Sequence, residues 1–163
     1  MSTYTRQEIE AKANDLIREA YGSDRVIPPV DLERIAKYLN LNLEFGNFSE
    51  GDIDGQFIRK QNLIRINENA SYRRQSFTVA HEIGHFILHK EKENEVFHRR
   101  DMLSGDDNMP ETEANKFAAA LLMPKSLVEI FFNKIPSEEF IADTFQVSEQ
   151  AAYFRLKNLG LLR

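Results

Sequence analysis

The segment "FTVAHEIGHFILH", residues 77–89, carries three of the chain's four histidines, His81, His85 and His89, together with Glu82. In a helix, residues four apart project from nearly the same face, roughly 6 Å apart along the axis. His81 and His85 so placed can grip one metal ion from one side. Glu82 is turned about 100° from His81, too far round to share coordination easily but able to reach a water held on the ion. Zinc brings such a water to a pKa of roughly 7, and a neighbouring glutamate can take its proton as the water attacks a polarised carbonyl. The spacing H-E-x-x-H arises by chance in about one chain in a hundred of this composition, so its surroundings matter. Phe77, Val79, Ile83, Phe86, Ile87 and Leu88 mark a core helix, where two imidazoles and a carboxylate are costly without a task.

His89 continues the stripe one turn further on, roughly 12 Å along the axis from His81, which is too far for all three histidines to share one ion. It reads as a structural or supporting residue. His98 lies in a charged stretch and reads as a surface residue. A catalytic zinc needs a third protein ligand and an open fourth position. The chain has no cysteine, so that ligand is His98 or a carboxylate. "PETEANKFAAALLMP" offers Glu111 and Glu113 at the start of a helix. Glu111 lies about 60° from the centre of the apolar stripe formed by Ala114, Phe117, Ala118, Leu121 and Leu122, and Glu113 about 100°. Helical geometry leaves both open.

The elements that must hold these residues follow from periodicity. Residues 6–21 form an amphipathic helix that Gly22 stops, and "IPPVDLERIAKYLN" a second, with Asp31 as N-cap and Val30 and Ile35 as a hydrophobic staple. "GQFIRK" (55–60) and "NLIRIN" (62–67) alternate as a strand hairpin, with "LNLEF" (41–45) a third strand. The helical period then runs from Ser71 to His89. "KEKENEVFHRRDMLSGDDN" (90–108) reads mainly as a surface connection, long enough to be functional. Pro110 opens another helix, Pro124 separates it from the next, and helices over 137–145 and 149–159 close at Gly160. The order implies an α+β fold.

At 163 residues with 42% hydrophobic content, the chain fits one domain with a real core. A net charge of −5 gives no general attraction to nucleic acid. Neither a secretory signal nor a membrane-spanning run is visible, and a cytoplasmic protein is expected.

"FTVAHEIGHFILH" followed by "ETEANKFAAALLMP" resembles the ImmA/IrrE family of metallo-endopeptidases. The resemblance extends to "PPVDLERIAKYLN" and to "IADTFQVSEQAAYFRLKNLGLL", most of the chain. It implies a compact zincin-like fold of the gluzincin kind, here over residues 1–135 with a small antiparallel-type sheet; the cadence of Ile141, Ala142 and Val147, with Ser148 as N-cap of a second helix, reads as a helix-turn-helix-like segment, 136–163, packed on it. By the same resemblance His81 and His85 match two zinc ligands, Glu82 the catalytic glutamate and Glu113 the third ligand, with Glu111 the alternative and Asn115 an orienting residue. The implied substrate is a helix-turn-helix repressor. Such a substrate could add as a strand to "NLIRIN" or "GQFIRK", and Tyr72, His98, Arg99 or Arg100 could stabilise the oxyanion.

In the C-terminal segment, Arg155, Lys157 and Arg163 are balanced by Glu138, Glu139, Asp143 and Glu149, which argues against direct DNA binding. Gln146 stands where many such turns carry glycine. The competing functional class is a non-proteolytic, zinc-containing module that controls a repressor or toxin by association. A zinc hydrolase of small molecules is a weaker third, since nothing in the sequence outlines a small-molecule pocket.

Overall fold

The structure is a computed structural model and describes residues 4–23, 25–47, 53–90, 96–99 and 109–163. Helix α1 spans Arg6–Tyr21. Its N-cap Thr5 accepts from the Glu8 amide while the Glu8 carboxylate accepts from the Thr5 amide, a reciprocal pair that fixes where the helix starts. Gly22 ends it at φ 67°. Helix α2 (Leu32–Tyr38) starts at Asp31, whose side chain accepts from the Arg34 amide. Val30 and Ile35 are both buried, as a staple requires.

Four strands follow from three separate parts of the chain: β1 (Asn42–Gly46), β2 (Gly55–Ile58), β3 (Leu63–Asn67) and β4 (Val96–Arg99). Their order in the sheet is β1-β3-β2-β4. The β2–β3 hairpin forms as its alternation predicts, turning at Asn62 with φ 47°. In β3, Ile64 and Ile66 point into the core, and Phe57 of β2 joins them.

Three expectations are corrected here. The sheet is mixed rather than antiparallel in type, because β1 runs parallel to β3 from Asn42↔Leu63 to Gly46↔Asn67. Alternation identifies a strand but carries no direction. The charged stretch taken as a surface connection contains β4, four residues whose strand character comes from pairing with β2 (Gly55↔Arg99 to Ile58↔Val96). The rest of that stretch from Glu91 onward lies outside the described residues. Finally, β2 and β3 are interior strands with neighbours on both sides, so neither can accept an added strand; among the described residues the edges are β1 and β4.

Helix α3 (Tyr72–Leu88) lies across the sheet, capped by Ser71, which accepts from the Arg74 amide. Its last turn is closed by Arg59, which donates to the carbonyls of His85 and His89 and lies over the rings of Phe57 and Phe86. A cation at a helix C-terminus satisfies free carbonyls and complements the macrodipole. On the side away from the sheet, α3 packs against α4 (Met109–Leu122).

Gly84 sets that separation. A Cβ there would stand 3.2 Å from both Cα and O of Ala114 and 3.3 Å from Cβ of Phe117. Two of these contacts are backbone and cannot rotate away. Replacing helical glycine by alanine normally gains about 1 kcal/mol, whereas forcing a methyl group into a packed interior costs about 1–3 kcal/mol. Gly84→Ala is therefore expected to lower stability by about 1 kcal/mol net in urea unfolding. An increase would mean the two helices are free to separate.

Helices α5 (Lys125–Lys134), α6 (Glu138–Phe145) and α7 (Glu149–Asn158) complete the chain. Between α6 and α7, Gln146 takes the left-handed conformation expected of glycine, at φ 54°, and its side-chain amide donates to the Asp143 carbonyl. Ser148 caps α7, and Gly160 ends it with the Gly160 amide on Lys157 O and the Leu161 amide on Leu156 O. Buried Arg155 holds α7 to the body, donating from Nε to Met123 O and pairing its two terminal guanidinium nitrogens with Glu10. Arg73 of α3 reaches Asp143 and the Val147 carbonyl in the turn.

Candidate metal centre

Two helices bring the site together. His81, Glu82 and His85 are all buried on α3, and α4 supplies Glu111, Glu113 and Asn115 from its first two turns. Gly84 and Ala114, in contact, let the helices approach closely enough for these groups to meet.

The Nε2 atoms of His81 and His85 lie 3.1 Å apart. Each lies 2.9 Å from an oxygen of Glu111. Donors of a tetrahedral site with bonds of about 2.0–2.1 Å stand about 3.3 Å from one another. The three groups thus converge at nearly the spacing one small divalent cation requires, and their chemistry, two imidazoles and a carboxylate, suits a metal of intermediate hardness. Burial pushes the Glu111 carboxyl up, but hydrogen bonds and charge attraction from His81 and His85 outweigh it and hold the group well below the usual carboxylate range.

His81 is oriented from α4. Its Nδ1 lies 2.8 Å from Asn115 Oδ1; the amide oxygen only accepts, so Nδ1 carries the proton and Nε2 keeps its lone pair for the centre. Asn115, singled out as an orienting residue, makes this contact. Glu82 is fully buried beside His81, flanked by β2: a Cβ at Gly55 would stand 3.8 Å from Glu82 Oε1 and 2.3 Å from Thr78 Cγ2. Only glycine lets the strand pass this close to α3.

Glu113, the expected third ligand, is elsewhere. Its carboxylate lies 3.0 Å from His89 Nε2 and accepts from the Tyr4 amide at 3.1 Å. Glu111, the alternative, meets both histidines. The physical reason is the four-residue spacing of Glu111 and Asn115, which puts both on the α4 face that meets His81 and His85. Helical spacing alone leaves both glutamates open; the rotation of α4 against α3 is what brings Glu111 to the two histidines. Among the oxyanion candidates, Tyr72 is largely exposed, 65%, at the start of α3. His98 and Arg99 are in β4, where Gln56↔His98 and Gly55↔Arg99 are the register pairs. Arg100 lies outside the described residues.

Residues 36–157 match the model of the IrrE N-terminal-like domain, peptidase M78. The chain belongs to the ImmA/IrrE metallopeptidase family. Metallopeptidase ImmA of Bacillus subtilis is 29% identical over 163 residues, covering 98% of this chain and 90% of that protein. An uncharacterized immunity region protein 2 of Bacillus phage phi105 is 31% identical over 133 residues, 79% of this chain and 80% of the relative. The radiation response metalloprotease IrrE of Deinococcus radiodurans is 34% identical over 102 residues, which span 61% of this chain and 31% of that longer protein. A solved Mycobacterium tuberculosis transcriptional regulator shares the fold over 93% of this chain and 46% of its own, with TM-score 0.65 and 14% identity. The α3–α4 pairing with its histidine–glutamate cluster lies within the matched residues. No helix among the described residues is long and apolar enough to cross a membrane.

Proposed function

We propose that this ImmA/IrrE family member is a zinc-dependent endopeptidase that cuts a regulatory protein, a helix-turn-helix repressor. The observation that carries the reading is the convergence of His81 Nε2, His85 Nε2 and the Glu111 carboxylate at about 3 Å from one another, with Glu82 buried alongside. His81, His85 and Glu111 would hold the ion. Bound there, zinc supplies a Lewis acid for the scissile carbonyl and acidifies the attacking water. Glu82 would accept one proton of that water and return it to the leaving amine nitrogen, so one peptide bond and one water become a carboxylic acid and an amine, which ionise to carboxylate and ammonium. Asn115 keeps His81 turned to the centre. The β4 edge, next to β2 and hence on the Glu82 side of the sheet, accepts the substrate as an added strand.

The repressor as substrate is supported by the name of the phage relative, an immunity region protein, together with the metallopeptidase name of the Bacillus subtilis relative. The test uses the helix-turn-helix repressor encoded nearest this gene, incubated with zinc-loaded protein and analysed by intact mass. Two fragments whose masses add up to that of the repressor plus one water are expected, and chelation should abolish them. Stable association without cleavage at stoichiometric zinc would transfer the reading to a non-proteolytic binding module.

A further inference from the structure

His85 is reached from behind by a continuous line of buried groups. Its Nδ1 lies 3.0 Å from His89 Nδ1. His89 Nε2 lies 3.0 Å from Glu113 Oε2, and the Tyr4 amide donates to Glu113 Oε1 at 3.1 Å. His85, His89 and Glu113 are 0%, 8% and 1% exposed, so water does not compete for these contacts. We infer that His89 and Glu113 form a positioning relay for His85, anchored by the Tyr4 backbone.

The inference rests on His85 holding the ion through Nε2. Its single ring proton then sits on Nδ1 and is donated to His89 Nδ1. His89 must present a lone pair there, so its own proton sits on Nε2 and goes to Glu113, which only accepts. One assignment of protons satisfies every contact, and it ends on a carboxylate. Two hydrogen bonds behind His85, that charge fixes the tautomer of both rings and raises the basicity of His85, as a carboxylate behind a ligating histidine does. Arg59 pins the same two residues from the other side through the His85 and His89 carbonyls. The Tyr4 hydroxyl donates to Leu88 O between them, so the segment before α1 holds both the carboxylate and the helix end. A buried carboxylate and a buried third histidine thereby have a function other than coordination.

The test measures the zinc dissociation constant of the full chain by chelator competition for wild type, His89→Phe, Glu113→Gln and the double variant. Each single change is expected to weaken zinc 10- to 100-fold. The double variant should be no more than about threefold worse than the worse single, because both break one relay. Nitrogen-15 spectra of the zinc-loaded wild type should show His85 protonated at Nδ1 and His89 at Nε2, a signature that needs no variant to fold. Affinities within twofold of wild type, or the opposite tautomers, overturn the relay. Full loss of zinc in Glu113→Gln with retention in Glu111→Gln overturns it too, by making Glu113 a ligand. If the wild type itself binds no zinc, the metal-centre reading falls, whatever the histidine tautomers.

Discussion

Glu82→Gln is expected to retain one zinc per chain and to cut its substrate about 100- to 10,000-fold more slowly, the span that positioned proton transfer contributes. Glutamine matches glutamate in volume, so the packing of Thr78, Gly55 and His81 around it should survive. It removes the basic oxygen and leaves the three donors of the centre untouched. Stability should be equal to or higher than that of the wild type, since a fully buried carboxyl group gives way to an amide of the same volume that carries no charge at any pH. The measurement is cleavage rate alongside metal content and melting temperature on the same preparation. A variant that still cuts within tenfold of wild type would sink Glu82 as the base, and one that loses zinc would make it part of the centre.

Glu111→Gln is expected to act on the ion itself. The carboxylate bridges the two imidazole nitrogens at 2.9 Å from each, and an amide oxygen there is neutral and a weaker donor for a divalent cation. Zinc affinity should fall by more than the 100-fold that outlying contacts contribute, and activity should fall with it at limiting zinc. Metal content after dialysis, read by elemental analysis, checks this. Retention of zinc by this variant would return the third position to another group. A wider separation from Glu82→Gln is built in: one variant keeps the ion and loses the base, the other keeps the base and loses the ion.

What could be read in the sequence, and what could not, follows from the range of the forces involved. Caps and periodicity are local, and Thr5, Asp31, Ser71 and Ser148 begin helices at the positions their side chains dictate. The histidine pair and Glu82 are also local, set by a single helix. The third position depends on how α4 rotates against α3, which is decided by Gly84 and Ala114 meeting across the chain. Residue spacing within α4 narrowed the choice to two glutamates; only the packing of the two helices separates them. His89 is a further case: a histidine one turn past the pair on a core helix needs an acceptor, and Glu113 on α4 provides one. The parallel direction of β1 and the existence of β4 are non-local in the same sense. Each exists because a partner strand lies beside it.

The order of the strands also has a kinetic side. The β2–β3 hairpin closes across residues 59–62, while β4 returns to β2 only after residues 59–95, which include all of β3 and α3. Loop closure over the longer span costs about 2 kcal/mol more in chain entropy. Contacts between distant segments are also the slow ones to form. The hairpin can therefore nucleate the sheet, and α3 can settle on it, before the last strand docks. The strand that flanks β2, itself the strand against Glu82, is thus the one on the longest tether.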